Sequence, residues 1–189
     1  ISADVGVSAT TDLIGPLRKR MKAREFADAN ALLGALREDL LALLAPIAGA
    51  QLVLEPMKRD SAPAIALAAL VAEPDDLLLM SPSDHHIADV PAFHAAIEAG
   101  RAAAERGDIV TFGIEPDHPA TGFGYIAASD GEGVRRVEHF IEKPDLDHAR
   151  ALLNAGGHYW NAGIFLARAS SWLGALERHV PDIAHAAEA

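Results

Sequence analysis

The sequence predicts an α/β fold in which a parallel sheet is covered by helices, and three observations carry that expectation. Leu77–Met80 is a continuous apolar run, as expected of a strand buried on both faces. A helical pattern follows from about Asp89 to Arg106, with Pro91 in its first turn and Gly107 as its stop. Ile109–Ile114 is then a second apolar run of strand length. Strand, helix, strand is a βαβ unit, which implies parallel strands under a helical cover.

The other elements follow in order. Leu32–Leu44 is apolar at helical spacing, interrupted by Arg37, Glu38 and Asp39, and reads as an amphipathic helix stopped by Pro46. Gln51–Leu54 is a short strand candidate. Pro63–Ala72 reads as a helix, with Asp60 or Ser61 near its N-cap. Pro82 ends the first apolar strand. In the helix from Asp89, Phe93, Ile97 and the alanines nearby form the expected buried stripe. Gly122–Ala127 and Val134–Ile141 are strands able to pair antiparallel across the turn Asp130–Gly133. Asp147–Asn154 is a short helix closed by Gly156 and Gly157; Ile164–Ala167 is a strand, and Ser170–His179 a helix before Pro181. With no internal repeat or linker, residues 1–189 read as a single domain.

Composition narrows the function. The balance of 16 Lys plus Arg against 27 Asp plus Glu argues against sequence-independent binding of nucleic acid. A phosphate ligand would need a few placed groups. The lack of cysteine excludes disulfides, thiolate catalysis and Cys-based zinc sites. Apolar runs such as Ile65–Ala72 are too short to span a bilayer, and Ile1–Thr11 lacks the pattern of a signal peptide. A cytoplasmic protein with no membrane partner is expected.

Several residues carry chemistry. Asp84 follows the carboxyl end of an apolar strand, the edge where open α/β sheets bind ligands. A carboxylate there suits a hard cation such as Mg²⁺, or it caps the following turn. His85, His86 and His94 lack a tight metal-ligand spacing and read as one packed and one solvated histidine beside a third. Thr121-Gly-Phe-Gly-Tyr125 opens a strand with two glycines, marking either a bulge or a close backbone approach to a ligand at Gly124. Glu142 and Lys143 end a strand, and Pro144 biases Lys143 toward extended geometry, so the two side chains are expected to face opposite ways. A carboxylate accepts from sugar hydroxyls and an ammonium pairs with phosphate, so one sugar phosphate would use both; alternatively the two are solvated charges at a strand end. Trp160-Asn161-Ala162-Gly163 precedes the last strand candidate; it is a structural turn, or Asn161 meets a hydroxyl while Gly163 permits close approach.

Taken in order, these strings resemble a known family. Ser81-Pro-Ser-Asp-His-His-Ile87, Val110-Thr-Phe-Gly-Ile-Glu-Pro116, Thr121-Gly-Phe-Gly-Tyr-Ile126, Phe140-Ile-Glu-Lys-Pro144 and Tyr159-Trp-Asn-Ala-Gly-Ile-Phe165 closely resemble the GDP-mannose pyrophosphorylases, the mannose-1-phosphate guanylyltransferase family. Leu54-Glu-Pro-Met-Lys-Arg-Asp-Ser-Ala-Pro-Ala-Ile65 looks like that family's segment around the guanosine. The resemblance implies a Rossmann-like, glycosyltransferase-A-like nucleotidyltransferase domain: a mixed, mainly parallel sheet flanked by helices. It implies GTP and mannose 1-phosphate as substrates, Mg²⁺ as cofactor and often a homodimer. It would make Asp84 the Mg²⁺ ligand. Gly124, Glu142, Asn161 and Gly163 would hold the mannose, and Lys143 its phosphate. Asp60, Ser61, Pro63 and Ala64 would lie near the nucleoside.

The ends depart from the family pattern. Ala3–Ser8 and Gly15-Pro-Leu-Arg-Lys-Arg20 are at most an eroded echo of the family's Gly-rich, Arg-containing phosphate loop, and Asp4 would repel a triphosphate. Pro16 suggests a regular helix starting there. The chain is therefore expected to be incomplete at both ends and to turn GTP over poorly while still binding sugar phosphate. The alternative is a catalytically inactive sugar-nucleotide-binding or regulatory paralogue.

Overall fold

A computed structural model describes residues 7–46, 49–51, 53, 61–82 and 85–188. The chain divides into two compact units, one comprising residues 1–59 and 82–86, the other residues 60–81 and 87–189.

The described part of the first unit is chiefly a helix pair. Helix α1 spans Val7–Lys22 and α2 spans Ala29–Leu44, and the two pack together. Asp28 caps α2 by accepting from the Ala31 N–H at 2.8 Å. Leu17 and Ala35 are their buried apolar residues. The α2 helix is as expected from its apolar spacing. The start of α1 is not: the helix begins at Val7, and Pro16 lies inside it. The run Gly15–Arg20 is therefore helical. Arg20 is held by Glu25 at 3.2 Å and by the Phe26 ring 4.8 Å away. Residues 3–6 and half of the Gln51–Leu54 strand candidate, residues 52 and 54, fall outside the described residues.

The second unit carries the sheet. Its elements are α3 (Ser61–Val71), β1 (Leu77–Met80), α4 (Val90–Glu105), β2 (Val110–Ile114), β3 (Tyr125–Ala128), β4 (Val137–Ile141), α5 (Leu146–Ala155), β5 (His158–Arg168), α6 (Ala169–His179) and α7 (Pro181–Glu188). Local signals explain most boundaries. Asp89 caps α4 through the Ala92 N–H, with Pro91 in the first turn, and Gly107 follows the helix at φ +101°. Asp145 caps α5 through the His148 N–H, and Gly156 ends it at φ +70°. On α4 the buried positions are Gly100, Ala103 and Ala104, whereas Phe93 and Ile97 are only half-buried. Small residues let the helix approach closely: a Cβ at Gly100 would lie 3.1 Å from the Val110 side chain.

Strand β5 organises the sheet. It pairs antiparallel with β1 (Met80↔Phe165), with β2 (Val110↔Leu166) and with β3 (Tyr125↔Trp160), and β3 pairs antiparallel with β4. Leu166 faces Leu79 on one edge and Val110 on the other. Strands β1 and β2 therefore run in the same direction, as a βαβ unit requires, but β5 lies between them. Every pairing among the described strands is antiparallel, which corrects the expected mainly parallel sheet. A βαβ pattern establishes the direction of two strands and says nothing about a later strand inserted between them.

The core forms on both sides of this sheet. Ile65, Met80 and Ala167 join α3 to the sheet, with Trp172 from α6 packed against them. Ala66, Leu176 and Ala184 close α3, α6 and α7 on one another. Tyr125, Ala149 and Leu152 hold α5 under β3. Arg168, at the end of β5, donates to the Asp75 carboxylate before β1 and to the Glu105 carbonyl at the end of α4. Among the described residues no helix is long and apolar enough to cross a membrane.

Candidate functional site

Strand register builds the site. Tyr125 stands opposite both Ile141 and Trp160. One residue away from these pairs, Gly124 is therefore set between Glu142 and Asn161. Two contacts mark this row. The Asn161 N–H donates to the Gly124 carbonyl at 2.8 Å. A Cβ on Gly124 would come within 3.0 Å of Glu142 Oε2 and 2.8 Å of the Phe140 ring. A side chain on Gly124 would therefore have to displace the Phe140 ring and the Glu142 carboxylate. On the far edge of β5 the row continues to Gly113, which pairs with Asn161. The Gly124 N–H has no hydrogen-bond partner among the described residues.

Lys143 and Glu142 do not face opposite ways. The Lys143 ammonium lies 3.4 Å from Glu142 Oε1, with both side chains 62% exposed. Lys143 has φ +40°, a left-handed conformation uncommon for a residue with a side chain. The expectation that Pro144 would keep it extended is therefore corrected. Pro144 is buried directly after it, and Asp145 goes on to cap α5. The packed corner overrides the local preference and turns the ammonium back beside the carboxylate.

Trp160–Gly163 is not a turn before a strand but part of β5 itself. Gly163, at φ +67°, distorts the strand locally, and β2 shifts register between Thr111 and Gly113 opposite that point. These paired irregularities aim side chains in a way a regular ladder would not. Asn161 Oδ1 accepts from the Gly163 N–H at 3.2 Å and from the Thr111 hydroxyl at 3.0 Å. Trp160 turns the other way. Its ring meets Phe123 at 5.2 Å and His118 at 4.8 Å, both edge to face, and its Nε1 is buried with no partner among the described residues.

Gly124, Glu142, Lys143, Asn161 and Gly163 therefore come together in one unit. Ser61, Pro63 and Ala64 sit elsewhere, in the first turn of α3, a helix that packs on α6 and α7. Asp60 and Asp84 lie outside the described residues. Half-buried His85 and exposed His86 follow the packed-and-solvated expectation, and among the described residues no three His, Asp or Glu side chains group as a metal site. A cavity of about 640 Å³ meets the row only at its Thr111 and Gly113 end, and is otherwise lined by α4 residues such as Ala99 and Ala103 and by Val110, Ile126, Arg135 and Tyr159. Neither Glu142 nor Lys143 lines it.

The sequence places Thr111 inside a motif but gives it no role. Its partner Asn161 is fifty residues away, and no local signal connects the two. Phe123 and His118 around Trp160 likewise carry no assignment, although aromatic residues beside a glycine-rich strand opening are a usable hint of a ring-lined wall.

The chain is similar to known proteins. Residues 35–189 match the nucleotidyl transferase family. The xanthan biosynthesis protein XanB of Xanthomonas campestris pv. campestris is 52% identical over 140 residues, covering 72% of this chain and 30% of XanB. The mannose-1-phosphate guanylyltransferase of Escherichia coli K12 is 47% identical over 148 residues, covering 72% of this chain and 31% of the relative. The chain thus spans about 30% of the length of these curated relatives. Among solved structures, a Helicobacter pylori protein described as a mannose-6-phosphate isomerase superposes with a TM-score of 0.73 at 37% identity, covering 82% of this chain and 60% of that one. A Thermus thermophilus protein described as a mannose-1-phosphate geranyltransferase gives a TM-score of 0.70 at 34% identity, covering 79% of this chain and 46% of that one.

Proposed function

The chain belongs to the nucleotidyl transferase family, and on that premise we propose that it provides the sugar-phosphate half of a site joining mannose 1-phosphate to GTP, with release of pyrophosphate. The observation that carries the reading is the Glu142–Gly124–Asn161 row with Lys143 at its end. Its chemistry suits a sugar phosphate. The Glu142 carboxylate accepts from ring hydroxyls, the Gly124 N–H and the Asn161 side chain supply directional polar contacts, and the Lys143 ammonium neutralises phosphate charge. Relatives named mannose-1-phosphate guanylyltransferase support mannose as the sugar.

The reaction asks for positioning more than for covalent chemistry. A sugar phosphate oxygen attacks the α-phosphorus of the nucleotide in line, and residues that hold the nucleophile supply much of the rate. Lys143 keeps the attacking phosphate in place, and Glu142 orients the ring to which it is attached. Asp84 is the proposed Mg²⁺ ligand and Asp60, Ser61, Pro63 and Ala64 the proposed nucleoside contacts; when bound, the metal would neutralise charge on the nucleotide phosphates. The proposal extends to a cytoplasmic homodimer. Nothing among the described residues favours the inactive alternative.

The test combines binding and turnover. Calorimetry should show mannose 1-phosphate binding more tightly than glucose 1-phosphate or galactose 1-phosphate. Pyrophosphate release should require mannose 1-phosphate and favour GTP over other nucleoside triphosphates. Failure of every sugar 1-phosphate to bind would overturn the proposal.

A further inference from the structure

The atom of Asn161 that meets the ligand is determined by what its other atom already does. A backbone N–H can only donate, so the side-chain atom facing the Gly163 N–H at 3.2 Å is the oxygen. The Thr111 hydroxyl lies 3.0 Å from that same oxygen, on the opposite strand neighbour. The Ile164 carbonyl, at 3.4 Å, is the more distant acceptor for the single Thr111 proton. Two donors thus converge on Oδ1, which leaves the Nδ2 amide protons without a partner among the described residues.

We propose that Thr111 is a positioning residue that locks the Asn161 amide with its NH₂ toward the sugar phosphate, so that Asn161 recognises an acceptor oxygen on the ligand and does not accept from a hydroxyl. This rests on the placement of Asn161 in the sugar-phosphate site proposed above. Three features make the lock specific. The register shift of β2 lies between Thr111 and Gly113, where an unbroken ladder would have continued. Gly163 adopts φ +67°, which carries its N–H to the side chain two residues earlier. Both partners are half-buried, so water competes little for the shared oxygen. Glu142, an acceptor when ionised, stands across Gly124 from Asn161. The row therefore presents a carboxylate acceptor on one side of Gly124 and an amide donor on the other, and a sugar hydroxyl paired with a neighbouring oxygen matches both.

The test uses the chain with mannose 1-phosphate as the probe. Thr111→Val removes the hydroxyl at nearly constant volume, Thr111→Ser keeps it, and Asn161→Ala reports whether the residue is in the site at all. A net hydrogen bond between uncharged groups corresponds to about a three- to tenfold change in affinity. Calorimetry should show that weakening for Thr111→Val, wild-type affinity for Thr111→Ser, and a loss for Asn161→Ala at least as large as that for Thr111→Val. The Asn161 side-chain NH₂ signals in a ¹⁵N–¹H spectrum, assigned by their loss in Asn161→Ala, should shift on adding mannose 1-phosphate in the wild type. If Asn161→Ala weakens binding but Thr111→Val does not, the positioning role fails while the site stands. Equal weakening by Val and Ser would mean that shape matters and the hydroxyl does not, which also overturns it. Unshifted NH₂ signals on saturation would refute the donor orientation. Wild-type affinity for Asn161→Ala would instead remove Asn161 from the site and take the underlying functional reading with it.

Discussion

Replacing Lys143 separates its two unusual properties, an ammonium beside a carboxylate and a left-handed backbone. The ion pair with Glu142 at 3.4 Å is between side chains that are each 62% exposed. Exposed pairs contribute about 0–1 kcal/mol, so deleting it costs little stability. A charged hydrogen bond to phosphate is worth about 1.5–3 kcal/mol, or roughly a ten- to 150-fold change in dissociation constant. The backbone acts independently. At φ +40° a residue with a Cβ carries about 1–2 kcal/mol of strain, which alanine retains and glycine relieves. Glycine also gives up about 0.4–1 kcal/mol through the freer unfolded chain. The net difference favours Lys143→Gly over Lys143→Ala by about 0.5–1 kcal/mol, or about 1–4 °C in melting temperature for a chain of this size. Calorimetry with mannose 1-phosphate and thermal unfolding of both variants would check this. Both should lose affinity alike, and the glycine variant should melt higher. An unchanged dissociation constant in both would remove Lys143 from the site. A glycine variant no more stable than the alanine variant would show that the backbone is not held at positive φ.

Three other substitutions probe the remaining parts. Gly124→Ala places a Cβ 2.8 Å from the Phe140 ring and 3.0 Å from Glu142 Oε2; both side chains are exposed and can swing aside, so unfolding should change by less than about 1 kcal/mol. The displaced carboxylate should nevertheless cost about tenfold or more in mannose 1-phosphate affinity by calorimetry. Tyr125→Phe removes the hydroxyl that donates to the buried Ala120 carbonyl at 2.9 Å, and denaturant melts should show a loss of about 1–2 kcal/mol from that orphaned acceptor. Asp84→Asn should weaken Mg²⁺ binding by about tenfold or more while leaving mannose 1-phosphate affinity within twofold, both by calorimetry on the same preparation.

What was legible in the sequence was local. Asp89, Pro91 and Gly107 bracket α4, and Gly156 stops α5, because caps and breakers act within a turn or two of themselves. The parallel direction of β1 and β2 was legible for the same reason, since one helix joins them. The insertion of β5 between them was not, because its partners are about ninety and fifty residues away in the chain. Trp160–Gly163 looked like a turn because asparagine followed by a glycine at positive φ is turn chemistry. The structure uses that chemistry, with the Asn161 side chain accepting from the Gly163 N–H, but inside a strand. Pro144 misled similarly: its preference for an extended neighbour is real, and the buried corner leading into α5 outweighs it. The candidate residues could be listed from the motifs, but only register explains why three of them are neighbours. Gly124, Glu142 and Asn161 are adjacent because Tyr125 faces Ile141 on one side and Trp160 on the other. A slip of one residue in either pairing would leave every motif intact in the sequence and turn the carboxylate or the amide to the wrong face. The fully buried Tyr125, packed with Ala149 and Leu152 and tied to Ala120, is what prevents that slip. The residue that guards the geometry of this row therefore lies outside it, immediately after Gly124.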